Sequence, residues 1–203
     1  MIAIVDYGAG NLRSIQRALA HLGQEPIITG DPELIESARA VVFPGVGNAR
    51  AAMDQIRTTG IADAITDTAR AGTPLLGICL GMQLLFGDQE EGPTTGLGLL
   101  AGNCVRLPAS RKVPHMGWNT AHFTDNGPFA DQPPAEVYFV HSYFVQPDDP
   151  ADIAARTHYG VTFPSVVARE TIWGTQFHPE KSGDSGIALL DQWLRLVRKV
   201  ERQ

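Results

Sequence analysis

In the first half of the chain, short apolar runs alternate with helix-period patterns, and this alternation leaves few folds open. Ile2–Val5 reads as a strand, and Leu12–Leu22 reads as a helix with apolar residues at 12, 15, 19 and 22. Glu25–Ile28 and Ala40–Phe43 read as further strands, and the segment from Ala49 to about Ala71 reads as helical. Thr73-Pro74 then opens the strand Leu75–Ile78. Strands without a polar face must be covered on both sides, and strand–helix alternation supplies that cover. The expectation is an α/β fold with a mostly parallel central sheet flanked by helices.

The second half reads differently. Gly87–Gly102 is loop-like, with acids and glycines. Strand-like segments follow at Val105–Leu107, Ala121–Phe123, Val137–Val140, Ile153–Thr157, Val166–Arg169 and Ile172–Gln176. Pro, Asp, Asn and Gly separate them closely, which suggests antiparallel hairpins added to the main sheet. The chain ends in a helix from about Ser185, where Ile187, Leu190, Trp193, Leu194, Val197 and Val200 form one apolar stripe. No linker or internal repeat divides residues 1–203, so one domain is expected.

Composition excludes several function classes. Lys plus Arg is 16 against 22 Asp plus Glu, for a net charge of −6, and no basic stripe appears. Nucleic-acid binding through phosphates is therefore not expected. No apolar run reaches the ~18 residues of a membrane helix. The start "MIAIVDYGAG" lacks the basic n-region and long apolar core of a signal peptide. It reads as the first strand of a cytoplasmic protein. The two cysteines, Cys79 and Cys104, form no CxxC pair and no cluster with histidine at zinc spacing, so no metal is expected. Gly8-x-Gly10 lacks the third glycine of a dinucleotide loop, and no cofactor is expected.

Cys79 sits in Gly77-Ile78-Cys79-Leu80-Gly81, where an apolar strand meets an apparent helix. A sharp strand–nucleophile–helix turn needs small neighbours, because the nucleophile occupies a strained backbone conformation. Such an elbow presents the side chain at the carboxyl end of the sheet, with the first helical amides aimed at a developing oxyanion. A buried core cysteine is the alternative, since free cysteine packs as a small hydrophobe.

A base for Cys79 is available in "WGTQFHPEKS". Along an extended chain, residues two apart point the same way, so His178 and Glu180 project together with Pro179 holding the backbone extended. The histidine would accept the thiol proton, and the carboxylate on its other nitrogen would fix the tautomer. Taken singly, the two also read as a surface histidine and a solvated acid. His21, His115, His122, His141 and His158 show no ligand spacing and read as structural or surface residues.

Together, "GICLGMQ" at 77–83, "FHPE" at 177–180 and "FPGVG" at 43–47 resemble the class I (triad) glutamine amidotransferase family. Within it, "DYGAGNLRSI" at 6–15, "PHMGWN" at 114–119, "YFVHSY" at 138–143 and "FHPEKS" at 177–182 are most similar to the glutaminase subunits of imidazole glycerol phosphate synthase. The resemblance spans almost the whole chain. It implies a flavodoxin-like sheet and a Cys79–His178–Glu180 triad that hydrolyses L-glutamine through a γ-glutamyl thioester. It implies oxyanion donors at the amides of Val46 or Gly47 and of Leu80, with a peptide flip at Val46 before activity appears. Gln83, Glu91 and the backbone of Ser142 and Tyr143 would hold the substrate. The implied partner is a (β/α)8 cyclase subunit of the synthase in a heterodimer. Ammonia would pass to it for synthesis of imidazole glycerol phosphate and an aminoimidazole carboxamide ribotide. Asn11, Trp118, Tyr138 and Lys181 are the candidates for the face toward that partner. Core packing is the other reading of the two aromatics. Rival readings are a glutaminase serving another synthase, a free-standing amidase, and a silent scaffold that binds a synthase.

Overall fold

Every apolar run of the first half is a strand of one sheet. In the computed structural model, which describes residues 1–125 and 127–202, these strands are β1 (Ile2–Val5), β2 (Pro26–Thr29), β3 (Ala40–Gly45) and β4 (Leu75–Cys79). Between them lie α1 (Leu12–His21), α2 (Pro32–Glu36), α3 (Ala49–Thr58) and α4 (Ile61–Arg70). The helical stretch expected over 49–71 is two helices, because Gly60 adopts φ +76° between them. The helix α2 was not expected, although its signal is present: the Asp31 side chain caps Glu33 N at 3.0 Å, and Pro32 occupies the first turn.

The chain then turns into α5 (Leu80–Gln83), β5 (Asp88–Gln89), β6 (Thr94–Thr95), β7 (Gly102–Arg106) and β8 (His115–Phe123). The remaining strands are β9 (Ala135–His141), β10 (Tyr143–Pro147), β11 (Ile153–His158), β12 (Thr162–Arg169) and β13 (Ile172–Thr175). The long helix α6 (Gly183–Val200) closes the fold.

The main sheet has nine strands in the order β2-β1-β3-β4-β13-β12-β11-β8-β9. From β2 to β13 all neighbours are parallel; beyond β13 they are antiparallel. The added hairpins therefore extend the parallel core on one edge, as expected. One expectation needs correction: Val105–Leu107 does not join the main sheet. It belongs to β7, which pairs with β10 and β5 in a separate four-stranded sheet, β10-β7-β5-β6. Gly87–Gly102 contributes the two short strands β5 and β6 to that sheet rather than remaining loop throughout.

Burial on both faces explains the unbroken apolar strands. Ile2, Ile4, Ala40 and Val42 pack with Ile15 and Leu19 of α1 and with Leu190, Trp193, Leu194 and Val197 of α6. Ala3, Val5, Val41 and Phe43 point to the other face, against Ile35, Met53, Ile56, Ile61 and Ile65. Trp193 is fully buried, and burying an aromatic of that size contributes a few kcal/mol. Among the described residues, no helix is long and apolar enough to cross a membrane.

Candidate active site

The carboxyl end of β4 carries Cys79, whose backbone is at φ 56°, ψ −111°. A side chain other than glycine at positive φ stores about 1–3 kcal/mol of strain, which the surrounding packing must hold. The flanking glycines make the elbow possible. A Cβ on Gly81 would lie 1.8 Å from the Phe43 carbonyl oxygen, and one on Gly77 would lie 2.8 Å from the backbone of Met82. The sharp turn expected from the sequence is therefore present, although the helix after it is only four residues long.

His178 follows β13, and its amide donates to the Tyr138 carbonyl at 3.0 Å. Its Nδ1 lies 2.9 Å from Glu180 Oε1, with both side chains almost fully buried. The pairing matches expectation, but the route to it differs. Residues 179–181 form a 3-10 turn rather than extended chain, so the turn folds Glu180 back under the imidazole. His178 Nε2 is buried and makes no hydrogen bond within the chain. Burial alone would lower the His178 pKa. The adjacent Cys79 sulfur and the Glu180 carboxylate outweigh it and raise the value to about 10.

A cavity of about 280 Å3 opens over the sulfur, lined by Val46, Gly47, Cys79, Leu80, Gln83, Glu91, Pro114, Val140, His141, Ser142 and Tyr143. All the residues singled out in sequence as oxyanion donors and substrate contacts line this one space. Gly45 pairs with Cys79 across β3 and β4, which brings the glycine-rich turn at 45–47 beside the nucleophile. Gly47 adopts φ +97°, a conformation that favours glycine, and Val46 is exposed at the cavity mouth. Glu91 accepts from the Ala49 amide at the start of α3 at 3.0 Å, and burial raises its pKa against that bond. The Gln83 side chain is tied down: Nε2 donates to the Tyr143 carbonyl at 2.9 Å and to Gln176 Oε1 at 3.0 Å. The Ser142 carbonyl accepts from the Leu107 amide at 2.8 Å, which joins the cavity wall to the second sheet.

Three polar residues of this region escaped sequence reasoning. Gln176 is fully buried, with Nε2 3.8 Å from Cys79 Sγ. His115 and His141 are also buried, Nδ1 to Nε2 at 3.0 Å, because β8 and β9 pair these two residues directly. His115 further stacks between Phe139 and Tyr159, at centroid distances of 4.7 and 3.9 Å. The available signal was that His115 and His141 lie inside the 114–119 and 138–143 motifs and that Gln176 directly precedes the one at 177–182. Cys104 is buried and unbridged, and burial pushes its thiol pKa up.

The four candidates for a partner-facing surface lie around the 179–181 turn. That turn packs against α1, which Asn11 precedes, and against β9, which carries Tyr138. Lys181 is exposed. Trp118 is 57% exposed and Met116 63%, so core packing does not account for Trp118. Trp118 stands edge-on to the half-buried Tyr138, ring centroids 6.1 Å apart. Met116 completes an apolar patch that the sequence reading had left unmarked.

Among the described residues, no three His, Cys, Asp or Glu side chains converge as a metal site. The arrangement is a thiol nucleophile, a buried imidazole–carboxylate pair behind it, and a small cavity bordered by the Val46–Gly47 turn and Leu80. Such a set performs acyl transfer at a carbonyl carbon.

Comparison with known proteins agrees. A chain described as imidazole glycerol phosphate synthase subunit HisH from Geobacillus thermodenitrificans is 49% identical over 97% of this chain and 96% of its own length. Its counterpart of the same description from Methanopyrus kandleri is 50% identical over 95% of this chain and 96% of its own. In fold, a crystal structure described as glutamine amidotransferase aligns with a TM-score of 0.79 over 98% of this chain and all of that one, at 23% identity. PurLQS from Thermotoga maritima aligns with a TM-score of 0.74, at 20% identity over 96% and 97% of the two chains. The family model for glutamine amidotransferase class-I matches residues 3–195, and the chain belongs to that family.

Proposed function

We propose that this chain is the glutaminase subunit of imidazole glycerol phosphate synthase, working with a separate cyclase subunit. The enzyme class follows from family membership, and the two relatives near 50% identity carry the subunit's description. The observation that carries the chemistry is Cys79, strained at φ 56° over the cavity with the His178–Glu180 pair buried behind it.

Cys79 Sγ attacks the side-chain amide carbon of L-glutamine. The amide of Leu80, with that of Val46 or Gly47, receives the oxyanion, a contribution of ~3 kcal/mol per donor in well-studied sites. His178, whose pKa the Cys79 sulfur and Glu180 raise, takes the thiol proton from Cys79 and delivers it to the leaving ammonia. The neutral imidazole then takes a proton from water as that water attacks the γ-glutamyl thioester. Glutamate leaves and the sulfur is released. Glu180 accepts from Nδ1–H and holds the imidazole in place. Gln83, Glu91, Ser142 and Tyr143 surround the amino-acid end of the substrate.

The ammonia passes to a (β/α)8 cyclase subunit in a cytoplasmic heterodimer. That subunit uses it to form imidazole glycerol phosphate and an aminoimidazole carboxamide ribotide. Asn11, Trp118, Tyr138 and Lys181 face the partner, and Met116 joins them. The test is glutamate release from glutamine by the chain alone and with the cyclase subunit plus its nucleotide. Low activity alone with a large rise in the complex supports a gated subunit. High activity alone points to a free-standing amidase. No activity in either condition points to a silent scaffold.

A further inference from the structure

Hydrogen-bond directions around the cavity are fixed by two backbone carbonyls, which can only accept. The Tyr143 carbonyl takes Gln83 Nε2 at 2.9 Å and His141 Nδ1 at 2.8 Å. The second hydrogen on Gln83 Nε2 therefore goes to Gln176 Oε1 at 3.0 Å. That leaves the Gln176 NH2 group turned toward Cys79 Sγ at 3.8 Å, an ordinary N–H···S distance. The other carbonyl, of His158, accepts from Asn119 Nδ2 at 3.1 Å. Asn119 Nδ2 also lies 3.3 Å from His115 Nε2, which must then accept. His115 Nδ1–H donates to His141 Nε2 at 3.0 Å, and His141 Nδ1–H donates to Tyr143. One set of neutral tautomers satisfies every bond from Asn119 on β8 to the sulfur.

We propose that Gln176 is a further catalytic residue, a preorganised N–H donor to the Cys79 sulfur whose orientation is set by Gln83, itself anchored on the Tyr143 carbonyl, as a positioning residue. The assignment rests on Cys79 being the nucleophile of the glutaminase reaction. Besides His178, the sulfur also has the Val140 carbonyl oxygen at 3.8 Å, which accepts only and so favours the protonated thiol. When Cys79 loses its proton, and again when the thioester breaks and the electron pair returns to sulfur, the Gln176 N–H meets that charge. A donor held by neighbours does this without reorganising, and hydrogen bonds to ionised groups are among the stronger ones. The amide is fully buried and its approach is enforced, so solvent does not compete for it.

The experiment compares wild type, Gln176→Met and Gln176→Glu in the complex with the cyclase subunit. The readouts are the rate of Cys79 alkylation by iodoacetamide at pH 7 and the kcat and KM for glutamine. Gln176→Met keeps the volume and removes the donor. Its alkylation rate and kcat are expected to fall about ten- to a hundredfold, with KM within about threefold. Gln176→Glu keeps an acceptor for Gln83 but puts an anion beside the sulfur, and is expected to lose at least as much. A folded Gln176→Met at wild-type alkylation rate and kcat overturns the assignment. If the wild-type complex itself releases no glutamate, the proposed function fails instead, and alkylation still reports on the donor. Should the variants not fold, the Gln176 side-chain amide resonance is compared between wild type and Cys79→Ala. A shift exceeding that of the other glutamines supports the contact, and an unmoved resonance overturns it.

Discussion

His178 Nδ1 and Glu180 Oε1 stand 2.9 Å apart with both side chains out of solvent, joined by a 3-10 turn that begins at Pro179. So buried an acid is tolerated because the His178 N–H meets one of its oxygens. Glu180→Gln keeps the shape but removes the acid and allows the wrong tautomer. The expected result is a fall in kcat of about 10³- to 10⁴-fold, the size seen when other triads lose this acid. KM for glutamine changes little, because Glu180 does not line the cavity. Steady-state glutaminase kinetics in the complex check it, and a variant within tenfold of wild-type kcat would remove Glu180 from the mechanism.

Cys79 bears strain that function alone explains. Cys79→Ala keeps a Cβ at φ 56°, whereas Cys79→Gly removes it. Both variants are expected to lose glutamine hydrolysis by about 10⁴-fold or more while still binding the cyclase subunit. Only Cys79→Gly is expected to gain stability, by roughly 1 kcal/mol, the lower end of what such a backbone conformation costs. Urea unfolding of the two variants, compared at equal slope, measures the difference. Equal midpoints would mean that the elbow is unstrained.

Much of the fold was legible because the parallel core is built from local signals. Ile2–Val5, Ala40–Phe43 and Leu75–Ile78 are apolar without interruption, which only strands buried on both faces require. The small second sheet was not legible, since β5 and β6 are two residues each and carry no periodicity. At the site, Cys79 and His178 declare themselves by their neighbours in sequence. Gln176, His115 and His141 do not. His115 and His141 are brought together by the pairing of β8 with β9, a relation over 26 positions that no local pattern encodes. His178 and Glu180 were paired correctly by an i,i+2 argument, yet a turn rather than a strand joins them.

Trp118 is large, apolar and 57% exposed beside Met116, with Tyr138 edge-on behind it. A monomer gains little from such a side chain, whereas an interface centre gains much. Trp118→Ala is expected to leave the unfolding midpoint of the isolated chain almost unchanged. It is expected to weaken cyclase binding by about 2 kcal/mol, roughly thirtyfold in Kd. Titration calorimetry on the purified pair measures this. Unchanged affinity would move the interface away from β8.

The His115–His141 pair makes stability fall in acid with a definite sign. Burial lowers the His115 pKa to about 4 and the His141 pKa to about 3, and for His141 the neighbouring His115 and His178 oppose a proton as well. In the unfolded chain each histidine titrates near 6.5. Between about pH 6.5 and pH 4 the unfolded state therefore binds protons that the native state refuses, so stability falls as pH falls. Above about pH 6.5 both states hold these rings neutral, and the pair adds no pH dependence. Each histidine contributes a slope approaching about 1.4 kcal/mol per pH unit within the window. His141→Asn keeps an N–H for the Tyr143 carbonyl and does not titrate, so it is expected to remove one histidine's share of that slope. Urea unfolding of wild type and His141→Asn at half-unit steps from pH 4.5 to pH 7.5 tests this, within the window set by those pKa values. Parallel stability curves for the two proteins would mean that His141 accepts a proton in the folded chain as readily as in the unfolded one.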